Sequence, residues 1–287
     1  MADPLEVAVP SAKVAELREL LKEELSSDDG RATVDALGGD PHALERVLVA
    51  RQLNATAAAT MFRSTLRFRR DEVAKLMPID PSIKSKVSPH WPVAYLGRTG
   101  DGKPLQLVRL GGIDPKRLME QITEEEFRTY YIHWVELSLR HQAACGNARQ
   151  VEIYDLKGLS LSQMYIPGIR MLSRVFKLGQ EHYPESLHRC IVIHAPRVFA
   201  IAWSIVSLVL HERTRAKTII LSGDGLDVLT DVLRVDRAEV EAHLASDATS
   251  DVQAKEGLKW LGSPERARTV GTEHHRSQDD GALPVLS

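Results

Sequence analysis

The sequence predicts an α/β domain with a mixed, largely parallel sheet, preceded by a small all-helical N-terminal segment. From about residue 90, short runs rich in β-branched residues alternate with helical patterns, which is typical of α/β folds. The runs 190–193 and 218–221 flank a longer apolar stretch, 198–210. A strand, a helix and a second strand in this order form a βαβ unit, so we expect these two strands to be parallel.

The composition limits the classes of function. The chain has 287 residues, a formal net charge of -2 and 43% hydrophobic residues, so it can build a core and has no basic field that favours nucleic acid. Cys145 and Cys190 form no CxxC pair, which predicts reduced thiols. The N-terminus lacks a signal-peptide pattern, and no apolar run has the ~20 residues of a membrane span. We therefore expect a cytoplasmic protein that associates with membranes only transiently.

The N-terminal segment, residues 1–75, shows helical periodicity alone. One helix is predicted from Ser11. A second follows Asp40, which we expect to cap it with proline at the first helical position, and a third begins after its cap, Asn54. Four prolines between residues 77 and 92 predict an irregular connector.

Residues 83–247 are predicted to form the α/β domain. Glycines on both sides of Asp101 predict a hairpin turn, and Thr123 with Glu126 forms a capping box that opens a long helix. The predicted strands are 93–96, 104–110 and 149–156 in addition to those of the βαβ unit, and the further helices are 123–144, 162–178, 226–233 and 238–244.

The predicted strand 149–156 has two different faces. Alternation places Val151 and Ile153 on one face and the polar or aromatic residues 150, 152 and 154 on the other. Beyond the domain, residues 248–287 are polar and without pattern, which predicts a flexible tail.

The sequence contains no pattern that indicates catalysis. GxSxG, HExxH and P-loop motifs are absent, and the GxG fragment at 223–225 lacks the third glycine of a dinucleotide fingerprint. No nucleophile is combined with a base. We therefore expect neither an enzyme, nor a metal site, nor a cofactor.

A small polar cluster follows the apolar stretch. Thr214 and Lys217 are three residues apart, so on a helical turn they share a face, and a hydroxyl with an ammonium suits a phosphate. The spacing alone favours the simpler interpretation, in which Thr214 caps a turn and Lys217 is a solvated charge.

A family resemblance favours the phosphate site over this simpler interpretation. The stretches that carry it are LERVLVARQLN (44–54), TGDGKPLQLVRLGG (99–112), EIYDLKGLSLSQMY (152–165), HYPESLHRCIVIHAPRVFAIAWSIV (182–206) and ERTRAKTIIL (212–221). Across residues 35–245 the chain resembles the CRAL-TRIO lipid-binding family, specifically its phosphatidylinositol transfer protein branch.

The resemblance implies a lipid pocket whose floor is the sheet and whose mouth is closed by a mobile gate helix, which matches residues 198–210. The implied residues of the gate helix and pocket wall are Val198, Ile201, Ala202, Ile205 and Leu208. The implied phosphatidylinositol headgroup residues are Arg51, Glu185, Thr214 and Lys217. In these roles the two cations offset the phosphate charge, Thr214 donates a hydrogen bond, and Glu185 accepts from inositol hydroxyls or orients Lys217.

The same branch often binds phosphatidylcholine through tyrosines and hydroxyl side chains, and here the match is poor. Tyr95 matches one tyrosine, but Gln106 stands where a second is expected, and Gln150 and Glu152 replace two hydroxyl residues. A different second lipid headgroup at these four residues, or a structural pairing of Glu152, therefore remains open.

The resemblance implies a protein that binds phosphatidylinositol and transfers it reversibly between membranes, or presents it to lipid kinases. Two alternatives stay open. One is a carrier or sensor for another hydrophobic ligand, such as a sterol or isoprenoid. The other is a protein-interaction module with a collapsed pocket.

Overall fold

The computed structural model describes residues 7–146, 149–232 and 236–245. The predicted tail, residues 248–287, lies outside the described residues, as do residues 1–6 of the predicted N-terminal segment. Within the described part of the chain, no helix combines the length and the apolar character that crossing a membrane requires.

The described residues of the N-terminal segment form helices and no strand, as predicted. Its helices are α1 (Ser11–Leu20), α2 (Lys22–Ser26), α3 (Asp28–Ala36), α4 (His42–Ala50), α5 (Ala55–Phe68) and, after a π-helical turn (Arg69–Val73), α6 (Ala74–Leu76). Asn54 caps α5, since its Oδ1 accepts a hydrogen bond of 2.9 Å from the backbone nitrogen of Ala57. Leu48 and Phe62 are fully buried in the core that these helices share.

Two local predictions in this region are wrong. Asp40 does not cap α4, because its carboxylate accepts hydrogen bonds of 2.6 and 2.8 Å from the two terminal nitrogens of Arg18. The predicted irregular connector contains α7 (Pro81–Val87). Asp80 caps this helix by accepting from the backbone nitrogen of Ser82 at 2.8 Å, and a proline fits its first turn.

The described residues form one five-stranded sheet in the order β1–β2–β3–β4–β5. The strands are β1 (Val93–Arg98), β2 (Pro104–Arg109), β3 (Gln150–Asp155), β4 (Leu187–Ile193) and β5 (Thr218–Ile220). β1 and β2 form the predicted antiparallel hairpin, and β2 to β5 are parallel. The mixed, largely parallel sheet is therefore confirmed.

Six further helices surround the sheet within the described residues. They are α8 (Pro115–Gln121), α9 (Glu124–Ala144), α10 (Ile166–His182), α11 (Phe199–Val206), α12 (Glu212–Ala216) and α13 (Arg237–Ala245). The predicted capping box opens α9, since the backbone nitrogens of Thr123 and Glu126 each donate to the other residue's side chain at 2.7 and 3.1 Å. α10 begins later than predicted, and Ser162 lies in a short 3-10 turn before it.

Strand alternation gives the sheet two chemically different faces. One face, here called the packed face, carries Ile153 and Ile191, which are fully buried against Leu229 and Val240 from the segment after β5. Residues 228–232 there form a π-helical turn within the helix predicted at 226–233. The opposite face, here called the cavity face, carries residues 150, 152 and 154 and borders an internal cavity.

Candidate functional site

The cavity has a volume of about 970 Å³ and lies over the cavity face of the sheet, with α9, α10 and α11 contributing to its wall. Its lining is largely apolar and rich in aromatic rings: Trp91, Phe127, Tyr131, Trp134, Phe176, Phe199 and Trp203. A cavity of this size and character suits a large apolar ligand.

The wall that α11 contributes differs from the predicted one. Four residues at helical spacing, Phe199, Ala202, Trp203 and Val206, line the cavity. Of the five residues expected on the gate helix and pocket wall, Ala202 is in this stripe, whereas Val198, Ile201, Ile205 and Leu208 are outside it. Ile201 is 39% exposed and Leu208 81% exposed.

The reason lies in the sequence of α11. Nearly every residue of 198–210 is apolar, so hydrophobicity alone does not distinguish the inward from the outward side of the helix. The helix also ends at Val206, not at 210, because the nitrogen of Val209 bonds to the carbonyl of Val206 in a tighter turn at 3.1 Å. Leu208 therefore lies in a turn after the helix.

A buried charged cluster lies at one side of this cavity, around the carboxylate of Glu185. Its Oε2 accepts hydrogen bonds from Lys217 Nζ at 2.7 Å and from Arg149 at 3.0 Å, and its Oε1 accepts from the Nε of Arg213 at 2.8 Å. The ammonium of Lys217 also donates to the carbonyl of Leu187 at 2.8 Å. Lys217 is only 3% exposed, so its charge acts in a weakly screened environment.

Burial and pairing oppose each other in this cluster. Burial lowers the pKa of Lys217 to about 8, although Glu185 acts in the opposite direction. Burial acts to raise the pKa of Glu185, but Lys217 and Arg213 outweigh it and leave that pKa below its ordinary value. At neutral pH the cluster therefore holds an ionised carboxylate among cations.

The other two predicted headgroup residues border the same cavity. Thr214 lies in α12, and its Oγ1 donates to Oε1 of Gln180 on α10 at 3.2 Å. Arg51 follows α4, so the N-terminal helical segment reaches the cavity. Its guanidinium donates to the carbonyl of Ala50 at 3.0 Å. The structure thus gathers all four residues around one cavity, from widely separated parts of the chain.

The four residues suggested for a second headgroup divide into two pairs. Gln150 and Glu152 line the cavity, whereas Tyr95 and Gln106 are buried in the neighbouring strands and do not line it. The carboxylate of Glu152 accepts hydrogen bonds from the hydroxyl of Tyr154 at 2.8 Å and from the amides of Gln150 and Gln106. Burial raises the pKa of Glu152, and these hydrogen bonds act against that rise.

Sequence reasoning does not identify Arg149 and Arg213 as members of the charged cluster. Arg149 directly precedes β3, and Arg213 is one residue before Thr214 on α12. Each arginine is adjacent in sequence to a predicted site residue, and this adjacency is the signal in the sequence that points to it.

Comparison with known proteins identifies the fold. The family model for the CRAL/TRIO domain matches residues 89–241, which is more than half of the chain. The chain belongs to the CRAL/TRIO family. A solved structure, that of Sfh5, superimposes with a TM-score of 0.61 over 88% of this chain and 98% of that chain, at 14% sequence identity. This CRAL/TRIO chain therefore shares its fold with Sfh5.

Curated relatives are longer proteins. Protein real-time of Drosophila melanogaster is 31% identical over 223 residues, covering 74% of this chain and 32% of that protein. Phosphatidylinositol/phosphatidylcholine transfer protein SFH4 of Arabidopsis thaliana is 26% identical over 204 residues, covering 68% of this chain and 33% of that protein. The chain thus spans about a third of the length of these relatives.

Proposed function

We propose that this CRAL/TRIO protein binds phosphatidylinositol in its cavity and transfers it reversibly between membranes. The observation that carries the proposal is the position of the Glu185 cluster at the side of a large apolar cavity. An anionic headgroup and acyl chains require this combination, because a phosphate buried without partners costs several kcal/mol. The name of the Arabidopsis relative supports the same lipid class.

The proposed headgroup contacts use the four predicted residues that border the cavity. Lys217 and Arg51 offset the charge of the phosphate, and the hydroxyl of Thr214 donates a hydrogen bond to it. Glu185 keeps Lys217 in place through their 2.7 Å contact and accepts from inositol hydroxyls. The cluster thus matches a group that combines one negative charge with several hydroxyls.

The apolar cavity reduces the cost of moving the tails. Two acyl chains bring roughly 30 methylenes, at about 0.8 kcal/mol each, so their unaided passage through water costs ~20 kcal/mol or more. Enclosure in the cavity replaces the bilayer as the apolar environment. α11 supplies part of the wall with Phe199 and Trp203, and its outward side exposes Ile201. We propose that α11 opens when that exposed side meets a membrane, so that the membrane shifts a population of closed protein to the open form.

The test is transfer of labelled phosphatidylinositol between vesicles, combined with mass spectrometry of lipids that copurify with the protein. Lys217→Ala is expected to reduce transfer at least about tenfold, because it removes a buried cation from the phosphate. The matched control is Lys116→Ala, which changes an exposed lysine of α8 outside the cavity lining. Equal transfer by wild type and Lys217→Ala, with both folded, contradicts the headgroup assignment.

The same measurements distinguish the alternatives. Copurification of a sterol or isoprenoid without phosphatidylinositol supports the carrier of another hydrophobic ligand. Absence of any bound lipid and of transfer supports the interaction module, although a cavity of about 970 Å³ is the opposite of the collapsed pocket which that alternative requires. Presentation of lipid to kinases is tested by adding a phosphatidylinositol kinase to the loaded protein.

A further inference from the structure

A second polar region lies in the cavity, and the phosphatidylinositol site leaves it unused. Glu152 lies on β3, three residues after Arg149, which directly precedes the strand, so the two are about 10 Å apart along the chain. Its hydrogen-bond donors, from Tyr154, Gln150 and Gln106, are all uncharged. Within the described chain, no lysine, arginine or histidine forms an ion pair with Glu152, in contrast to Glu185 with its three cations.

The helix opposite the sheet adds polar atoms without partners. Trp134, Ser138 and Gln142 are spaced four residues apart on α9 and line the cavity as one stripe. Gln142 is 2% exposed, and in the described structure both its amide nitrogen and its amide oxygen lack a hydrogen-bond partner. The indole nitrogen of Trp134 is likewise buried without one. Buried polar atoms of this kind are rare in native proteins, and a polar group of a ligand can supply their hydrogen bonds.

We propose that the Glu152 region of the cavity binds a primary ammonium group carried by an apolar ligand. An ionised carboxylate inside an apolar cavity is stabilised by a compensating charge, and an ammonium both supplies that charge and donates hydrogen bonds. The aromatic rings of Tyr131, Tyr154 and Trp134 line the same cavity and favour a cation over an anion. The ligand class is therefore a long-chain amine or amino alcohol.

The proposal rests on the proposed function only in taking the cavity to be a lipid pocket. It concerns different side chains from the phosphate site, so each site can be removed separately. Glu152→Gln keeps the shape of the side chain and removes its charge. Lys217→Ala removes the phosphate contact and leaves Glu152 unchanged.

The experiment measures binding of three probes with the same chain, namely octadecylamine, octadecanol and trimethyloctadecylammonium, through the fluorescence of the cavity tryptophans Trp91, Trp134 and Trp203. Glu152→Gln is expected to weaken octadecylamine binding about 30-fold or more and to leave octadecanol within about twofold, because one partner of a buried charge pair is lost. Wild type is expected to prefer the amine to the trimethylammonium probe by about tenfold, since the latter has no N–H to donate.

Several outcomes overturn the proposal. Equal amine binding by wild type and Glu152→Gln overturns it, as does a wild-type preference for octadecanol or equal binding of the trimethylammonium probe. The comparison of the three probes uses wild type alone, so it tests the proposal even if Glu152→Gln does not fold. Loss of phosphatidylinositol transfer in Lys217→Ala with amine binding retained supports two independent sites. Amine binding that persists when wild type transfers no phosphatidylinositol refutes the proposed function and supports this inference.

Discussion

The packed face and the cavity face of the sheet differ at neighbouring residues of the same strand. On β3, Ile153 is fully buried on the packed face, while Glu152 and Tyr154 on either side border the cavity. On β4, Ile191 is fully buried, while Val192 beside it lines the cavity. One face contains aliphatic side chains in close contact, and the other carries a carboxyl group, an amide and a phenol.

This difference separates stability from binding within one element. Because side chains alternate along a strand, the packed face can supply the burial that holds the sheet together while the cavity face keeps polar groups available for a ligand. Polar groups on the cavity face hydrogen-bond to one another, as Tyr154 does to Glu152 at 2.8 Å. Substitutions on the two faces therefore test whether stability and ligand binding depend on different side chains of the same strand.

The largest effect is expected from placing the same amide on each face of β4. Ile191→Asn leaves a polar group unpaired in a dry core and removes aliphatic volume, so it should lower the free energy of unfolding by about 4 kcal/mol. Val192→Asn places the amide at the cavity and should lower the free energy of unfolding by about 2 kcal/mol. Urea denaturation measures both. Equal losses would show that the cavity face is as dry and closely packed as the other.

Glu185 is expected to be an exception, a cavity residue on which stability depends. Glu185→Ala leaves Lys217, Arg149 and Arg213 close together without their shared carboxylate, and should cost about 3 kcal/mol. The control Glu120→Ala removes an exposed carboxylate of α8 and should cost less than about 0.5 kcal/mol. A thermal-melting comparison that finds the two variants equally stable would refute the structural role of the cluster.

The fold could be predicted well from the sequence because its main signals are local. The βαβ pattern around residues 190–221 and the capping box at Thr123 each depend on a few neighbouring residues, and both are present in the structure. Helix α7 is harder to predict because four prolines between residues 77 and 92 favour a loop, although Asp80 followed by Pro81 is also a helix start.

The site was harder to predict because its geometry is not local. Arg149 reaches Glu185 across 36 residues of chain, and no periodicity in the sequence indicates that contact. The inward side of α11 is equally hard to predict from sequence. Ala202 and Ile201 are both apolar, and only the structure shows that Ala202 lines the cavity while Ile201 is exposed. The family resemblance implies four headgroup residues that border the cavity, and the structure adds two arginines that contact Glu185.

Lys217 in the charged cluster is expected to make phosphatidylinositol transfer depend on pH. The pKa of Lys217 is about 8, with Glu185, Arg213 and Arg149 as its charged neighbours. Phosphatidylinositol transfer should therefore fall roughly tenfold between pH 7 and pH 9 as the ammonium loses its proton, until the limit set by the higher pKa of the lipid-bound state. In Lys217→Arg, whose side chain stays charged, transfer should change little over the same range.

The contribution of Lys217 to the free energy of unfolding should rise with pH, whereas transfer falls. The folded-state pKa of Lys217 lies below its ordinary value of 10.5, so between pH 8 and 10.5 the unfolded chain binds more protons at this residue. The contribution of Lys217 to the free energy of unfolding thus rises with pH in that window. Loss of transfer that is accompanied by unfolding at pH 9 would contradict the assignment of the effect to Lys217.

The smallest effect is expected at the outer side of the wall. Leu208 is 81% exposed in the turn after α11, so Leu208→Ser should leave the free energy of unfolding within about 0.5 kcal/mol of wild type. If this side enters the membrane, the loss of one apolar contact should weaken vesicle binding about fivefold, as measured by cosedimentation. Leu20→Ser changes a leucine of α1 that is 41% exposed and should leave vesicle binding unchanged. Equal weakening by both substitutions would argue against α11 and the turn after it as the membrane contact. An inward lipid side and an outward membrane side require the effect to be specific to that segment.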